Sequence, residues 1–168
     1  MAKDITKVNI GTADVYFKDV LLGHTQGGVT LNVTQDLVEA LVDEYGSTTA
    51  FHVDNGTELT VTVPMAQTEL ASLEIAYPYA VKVTTNLHIG AVAGRRSSTI
   101  DGELIVVPKA AAFAGQALTV HRAAVSETSE IRFATDEQTV IEVTFKAYID
   151  EESEEGVLAK FGTATLPE

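Results

Sequence analysis

Three stretches of the chain alternate between apolar residues and small polar ones, and this pattern restricts the fold more than any other feature. They are residues 28–34, 58–63 and 140–148. Successive side chains of an extended strand point to opposite faces, so the alternation predicts strands with one buried and one solvated face. β-Branched residues are prominent in all three stretches, as strands favour. The chain is therefore expected to be built mainly from antiparallel sheet.

Weaker strand signals and one helix complete the predicted secondary structure. Further strands are expected within 13–22, 104–107, 117–122 and 131–133. A helix is expected at residues 67–76, where apolar residues recur every three positions, with Thr68 as its N-cap and Pro78 after its end. The pattern predicts one domain, mainly β, with one helix lying on a sheet.

Two segments, 36–55 and 79–99, fit neither pattern and are predicted to be long loops. The first is acidic and rich in threonine, with an apolar first limb at 37–42. The second contains Arg95 and Arg96, which are unusual in so acidic a protein. Loops of about 20 residues are uncommon in compact domains unless they act or pair with something. Both segments are therefore candidates for contacts with other molecules.

Charge and composition argue against several functions. The chain has 24 Asp and Glu against 11 Lys and Arg, a net charge of −13. It therefore lacks the excess of cations that binding to a nucleic-acid backbone or an anionic membrane surface requires. Cysteine is absent, which removes disulfides, thiolate ligands and cysteine nucleophiles. With neither a signal peptide nor a membrane-spanning stretch recognisable, a soluble protein made in a cytoplasm is expected.

No set of residues predicts catalysis or a cofactor. No two of the four histidines lie at a metal-ligand spacing. Gly90 and Gly94 are too closely spaced for a phosphate-binding loop, and no lysine follows them. The acidic run 150–155 lacks the ligand spacing and the glycine of a calcium loop. We therefore expect no enzyme and no bound metal or cofactor, with a hydrolase that uses paired carboxylates as a remaining alternative.

The polar positions of the alternating stretches carry short side chains, most of them hydroxyls. They are Thr30, Asn32, Thr34, Thr60, Thr62 and Thr144. One interpretation is the ordinary solvent-facing side of an antiparallel sheet. The other is the wall of a water-filled passage. In an acidic protein such a wall would not hold a polyanion, because it offers like charge and no stacking or bidentate phosphate contacts.

The order of motifs along the chain resembles that of the major tail tube proteins of long-tailed bacteriophages. A glycine pair opens the first strand at 27–33, and an acidic Tyr-Gly turn follows at 42–48. The strand at 59–65 and the short helical stretch at 68–73 come next. Segments 104–111 and 143–150 and the late Gly162 agree with the same layout. The resemblance covers roughly the whole chain and rests on the ordered set of motifs.

The resemblance implies a single tail-tube domain over residues 1–168, a β-sandwich or barrel-like fold with one flanking α-helix and long loops. It implies a structural virion protein of the tail, made in the host cytoplasm, that self-assembles into hexameric rings stacked into a tube. Its partners would be other copies of itself and other tail proteins: an initiator or baseplate, a terminator and, in a contractile tail, a sheath. Genomic DNA would pass through on ejection without specific binding.

Within this resemblance, two groups of residues receive roles. The lumen-lining candidates are Thr30, Asn32, Thr34, Glu58, Thr60 and Thr62, joined by Glu142, Thr144 and Lys146 if their strand faces the same way. The candidates for contacts between subunits or rings are Leu37, Val38, Leu41, Val42, Asp43, Glu44, Tyr45, Arg95 and Arg96. Segment 36–55 would be the extended element that reaches a neighbour, and the arginines would pair with Asp43 or Glu44 of another subunit. A type VI secretion-like tube protein and a β-sandwich binding or decoration module remain alternatives.

Overall fold

The computed structural model describes residues 12–41, 43–67, 69–90, 96–128, 131, 138–150 and 156–166. These residues form ten strands and one α-helix. The strands are β1 (Ala13–Phe17), β2 (Val20–Leu21), β3 (Thr30–Leu41), β4 (Thr49–Met65), β5 (Val81–Val83), β6 (Asn86–His88), β7 (Gly102–Pro108), β8 (Ala117–Thr128), β9 (Ile141–Ala147) and β10 (Ala159–Gly162), and the helix is α1 (Leu70–Ala76). The predicted mainly β fold with one flanking helix is confirmed. Of the predicted strand at 131–133, only Ile131 is described, and it is not in a strand.

The main sheet has the strand order β2–β1–β7–β8–β9–β4–β3, and β10 also pairs with β8. All of these pairs are antiparallel. Ala123 of β8 pairs with β7 on one side and with β9 on the other. Three residues earlier, Val120 pairs with β7 and β10 in the same way. Strands β9 and β10 therefore lie end to end along one edge of β8.

The sheet curls back on itself so that its two halves pack face to face. The rings of Phe17 on β1 and Phe145 on β9 have centroids 4.9 Å apart, although β7 and β8 separate these strands in the sheet. Three flat spacings of ~4.8 Å would place β1 and β9 about 14 Å apart. The inner faces of the two halves therefore share one core, in which Leu22, Met65 and Leu104 are fully buried.

The alternation predicts the burial of β4 and β9 correctly and that of β3 only in part. In β9, burial alternates from Ile141 to Ala147. In β4, Leu59, Val61 and Val63 are buried as predicted. In β3, however, Val33 is half exposed. It is exposed because β3 and β4 continue together past the edge of the core.

Helix α1 begins at Leu70, three residues later than predicted. Glu69, which precedes it, has an extended backbone and makes no side-chain capping hydrogen bond. The predicted N-cap, Thr68, lies outside the described residues. The helix ends at Ala76, before Pro78, as predicted. Its apolar side packs against the core, so the helix flanks the sheet.

The prediction of two long loops is wrong. Residues 36–55 continue β3 and β4 up to a 3₁₀ turn at Asp43–Tyr45, so this segment is a β-hairpin. Its ladder gives the backbone the hydrogen-bond partners that a long loop would lack. Within 79–99, strands β5 and β6 form a second hairpin and Ser97–Thr99 form a 3₁₀ turn. Residues 91–95 lie outside the described part of the chain.

Candidate assembly surfaces

The distal parts of β3 and β4 project beyond the core as a two-stranded hairpin, which we call the arm (residues 33–41 and 43–57). Side chains on both faces of the arm are exposed over nearly its whole length. The eight residue steps from Val33 to Leu41 correspond to a projection of about 26 Å at ~3.3 Å per residue. An isolated two-stranded hairpin is at best marginally stable in water. The arm is therefore an element that benefits from a partner.

Two β-bulges set which side chains share a face of the arm. The register of β3 with β4 shifts after Asp36 and again after Ala40. At these points Asn55 and Ala50 of β4 have no residue opposite them in β3. Each extra residue changes the alternation of β4 relative to that of β3. Faces on the arm must therefore be assigned from the observed pairs and not from sequence spacing.

The face that is hydroxylated at the base of the hairpin becomes apolar toward its tip. Here Val38 lies opposite Val53, and Ala40 lies opposite Phe51. The two valines and the phenylalanine are each at least half exposed. Exposed apolar side chains that adjoin in this way mark a surface for interaction with another molecule.

The opposite face of the arm is mixed in character. Leu37 and Leu41 are exposed on it. Between them, Glu39 accepts a hydrogen bond from the hydroxyl of Thr49, with 3.0 Å between the oxygens. The Nε2 atom of His52 lies 3.8 Å from the other oxygen of Glu39. This face therefore combines apolar side chains with a carboxylate that has polar neighbours.

The structure gathers most of the predicted contact residues on the arm. Leu37, Val38, Leu41, Asp43 and Glu44 are all exposed along it or at its tip. Arg96 is also exposed but lies elsewhere, before the 3₁₀ turn at Ser97–Thr99. Outside the described residues lie Val42, Arg95 and the side chain of Tyr45.

The six lumen-lining candidates share one face of the β3–β4 ladder. They form three opposed pairs, Thr30–Thr62, Asn32–Thr60 and Thr34–Glu58. Strand β9 extends this face, because Thr144 pairs with Thr62 and Lys146 with Thr60. Glu142 lies farther along β9 and is exposed. The result is a hydroxyl-rich surface three strands wide.

Two opposite charges on this face neutralise each other. Lys146 Nζ donates a hydrogen bond to Glu58 Oε1 over 2.8 Å. That hydrogen bond raises the pKa of Lys146 above its ordinary value. Nearby, the hydroxyl oxygens of Thr62 and Thr144 lie 3.3 Å apart. The repulsion predicted from the acidic composition is therefore weakened at Glu58, and Lys146 is not free to hold a phosphate.

Sequence reasoning missed the apolar side chains on the second strand of the arm. Phe51 and Val53 alternate with His52 and Asp54 over residues 51–54, which is a weak strand signal. The bulges at Ala50 and Asn55 limit this alternation to one short run. Because both faces are exposed, no long apolar stripe marks the strand either.

Comparison with known proteins reveals a shared fold. No family model and no curated protein match the sequence. Among solved structures, the chain is similar to the cryo-EM structure of the anti-feeding prophage cap, a tube-terminating cap, with a TM-score of 0.58 and 13% sequence identity. The alignment covers 96% of this chain and 97% of that one. The likeness therefore extends over essentially the whole fold. At 13% identity it shows the fold and not the function, so the function must be inferred from the arm and the hydroxylated face.

No group of three or more His, Asp or Glu side chains among the described residues is arranged to hold a metal ion. None of the helices in this part of the chain is long and apolar enough to cross a membrane. The features that remain to be explained are the arm and the hydroxylated face.

Proposed function

We propose that this protein is a non-enzymatic structural subunit of a phage-tail-like tube. Copies of the chain assemble into hexameric rings, and the rings stack into a hollow conduit for DNA within the tail of a virion. The observation that carries the proposal is the arm, which exposes apolar side chains such as Phe51 and Val53 far from the core. Such a hairpin gains stability when a neighbour covers it. The fold shared with a tube-terminating cap supports the same assignment.

In the proposed ring, the hydroxylated face of β3, β4 and β9 lines the channel. Strands β2 and β3 end the order of the main sheet, so each has an edge without a partner strand in that order. Pairing these edges with neighbouring copies would close the sheet around the ring and remove exposed edges. Hydroxyls and the neutralised Glu58–Lys146 pair then face the DNA. This surface lets a polyanion slide because it offers neither stacking rings nor a free cation.

A tube-terminating role is the second candidate function. The specific observation in its favour is that the solved structure sharing the fold over 97% of its own length is a tube cap. A terminator would form one ring at a tube end and stop, whereas a tube subunit would continue to stack. A type VI secretion-like tube protein would also stack, and a decoration module would form no ring.

The first experiment is negative-stain electron microscopy of the purified protein over a concentration series, with sedimentation of the same samples. We expect hollow tubes whose number rises above a threshold concentration. Single rings that never lengthen would favour the terminator. Monomers at every concentration, even when seeded with tail fragments, would refute both assignments.

A matched pair of variants tests the role of the arm. Val38→Asp together with Val53→Asp places two charges on its apolar face, where these side chains are 50% and 51% exposed. Val81→Asp makes the same change at a 46% exposed position on β5, outside the arm. Both variants should keep the circular dichroism of the wild type. We expect the arm variant alone to lose tubes, and tube formation by that variant would show that the arm does not carry assembly.

A labelling experiment tests which face lines the lumen. The chain has no cysteine, so Thr34→Cys introduces a single reactive thiol on the hydroxylated face. A maleimide on a polymer too large to enter the tube should label it in monomers and not in tubes. Val83→Cys, on the exposed strand β5, is the control and should stay reactive in both states. Equal labelling of Thr34→Cys in tubes and monomers would place this face on the outside.

A further inference from the structure

Helix α1 and the turn between β1 and β2 enclose an apolar groove of about 380 Å³. Thr99 and Ile100 close one side of it. Its apolar lining consists of Phe17, Val20, Ala71, Ile75, Pro78 and Ile100. Val20 remains substantially exposed there. An apolar groove open to solvent is suited to receive apolar side chains of another molecule.

Two cations, one in the lining of this groove and one beside it, have no carboxylate partner among the described residues. Lys18 lines the groove, and its Nζ lies 5.5 Å from the centroid of the adjacent phenylalanine ring. Arg96 lies beside the groove, because its carbonyl accepts hydrogen bonds from the N–H and the hydroxyl of the lining residue Thr99 over 3.1 and 2.7 Å. The carboxylate in the lining, Glu74, is already paired with Lys82 at 2.9 Å. Lys18 in the lining and Arg96 beside the groove are therefore free to meet carboxylates of another molecule, although Asp19 is also exposed in the turn that carries Lys18.

The arm has the complementary chemistry. Between residues 33 and 57 the sequence contains five carboxylates and neither lysine nor arginine. Two of these carboxylates, Asp43 and Glu44, are exposed in the 3₁₀ turn at the tip. Leu41, just before the turn, is among the most exposed apolar side chains of the described residues. The tip thus presents an apolar side chain beside two negative charges.

The arm and helix α1, which forms one wall of the groove, are joined to opposite ends of strand β4. Strand β4 runs from Thr49 at the tip of the arm to Met65 in the core, and α1 begins five residues later at Leu70. An arm that projects about 26 Å away from α1 cannot fill the groove of its own chain. A contact between opposite ends of identical subunits runs head to tail and can propagate from copy to copy.

We infer that this groove is the acceptor for the arm tip of a second copy of the chain. Lys18 and Arg96 of one copy face Asp43 and Glu44 of the next, and Leu41 at the tip packs into the groove. This inference rests on the proposed function, because the contact would join one ring to the next. It accounts together for the exposed tip of the arm and for the two cations that lack intrachain carboxylates.

Cross-linking between two different chains tests this contact directly. The protein contains no cysteine, so each substitution adds one thiol. Ala71→Cys labels the groove and Ser47→Cys labels the arm tip, and both are exposed positions that leave the charged residues intact. The two single-cysteine variants are mixed and treated with a short bismaleimide, which joins thiols that lie close together. This mixture should give at least tenfold more heterodimer than a control mixture of Ser47→Cys with Lys160→Cys on β10. Equal yields would overturn the inference, as would no adduct.

Charge exchange gives a second, independent test. Lys18→Glu with Arg96→Glu, or Asp43→Lys with Glu44→Lys, should each raise the threshold concentration for tubes more than tenfold, and the fourfold variant should recover most of the loss. Lys160→Glu, the matched reversal away from the groove, should leave the threshold unchanged. If wild-type tubes form and the reversals change nothing, the groove inference fails while the proposed function stands. If the wild type forms neither rings nor tubes, the proposed function fails, and the yield of the Ala71–Ser47 adduct still decides the contact.

Discussion

Replacing one phenylalanine on the arm and one in the core should separate assembly from folding. Phe51 lies on the apolar face of the arm and is 59% exposed, whereas Phe145 on β9 is 1% exposed and packs against Phe17. Both side chains sit in strands, so the same change to alanine has a comparable backbone effect. Phe51→Ala should alter the association of copies, and Phe145→Ala should alter the stability of each copy.

The expected magnitudes follow from burial. Phe145→Ala should lower the free energy of unfolding by about 3–5 kcal/mol, because a buried ring is lost and a cavity remains. Phe51→Ala should change it by less than about 0.5 kcal/mol, as for most surface positions. If a phenylalanine presents ~200 Å², the exposed part of Phe51 is about 120 Å². Covering that area contributes at most roughly 3 kcal/mol, a factor of about 100 in the association constant.

Two measurements check these values. Urea unfolding followed by circular dichroism, below the threshold for assembly, gives the stability of the single copy. Sedimentation over a concentration series gives the threshold itself, which should rise up to about 100-fold for Phe51→Ala. An equal loss of stability in both variants would mean that the arm packs within the monomer. An unchanged threshold for Phe51→Ala would mean that the apolar face of the arm stays uncovered in the tube.

Three further substitutions probe the fold and the hydroxylated face. Gly23→Ala should lower the free energy of unfolding by about 1–3 kcal/mol in a urea titration, because φ at this residue is +79° and an added Cβ would collide with a glutamine side chain. Arg122→Met should cost about 1–2 kcal/mol in the same assay, because the largely buried carboxylate of Asp101 loses its partner; unaltered stability would contradict this. Glu58→Gln should lower the pKa of Lys146 toward its ordinary value in an NMR titration, because the hydrogen-bonded carboxylate is gone. As that pKa is raised in the folded protein, the pair stabilises at neutral pH, and its contribution is lost as pH rises through the folded pKa of Lys146.

The strands that alternation located correctly are those with one face on the core. In β9, every second side chain from Ile141 to Ala147 is buried, so the sequence carries the period of the strand. The arm has no buried face, and its bulges change the alternation of β4 relative to that of β3. For these two reasons the sequence of residues 36–55 predicted a loop and not a hairpin. Its backbone partners lie on the other strand of the hairpin, which single-strand periodicity does not reveal.

The two candidate surfaces differ in how far sequence could locate them. The threonines of β3 and β4 could be grouped because alternation alone assigns them to one face. The pairing of Glu58 with Lys146 joins residues 88 positions apart and depends on the register of β4 with β9. The groove is lined by residues of β1, α1 and positions 99–100, which are far apart in the sequence. No sequence pattern groups them, and sequence analysis singled out only the neighbouring Arg96.

An acidic subunit that binds copies of itself must limit repulsion at the contact. At physiological salt, charges more than ~8 Å apart are largely screened, so the net charge of −13 matters less than the charges that meet. The arm, which we propose enters a neighbour, carries five carboxylates and neither lysine nor arginine. Two arms side by side would therefore repel, whereas an arm against Lys18 and Arg96 would attract. This distribution of charge favours head-to-tail stacking over pairing of like ends, which is the polarity that a growing tube requires.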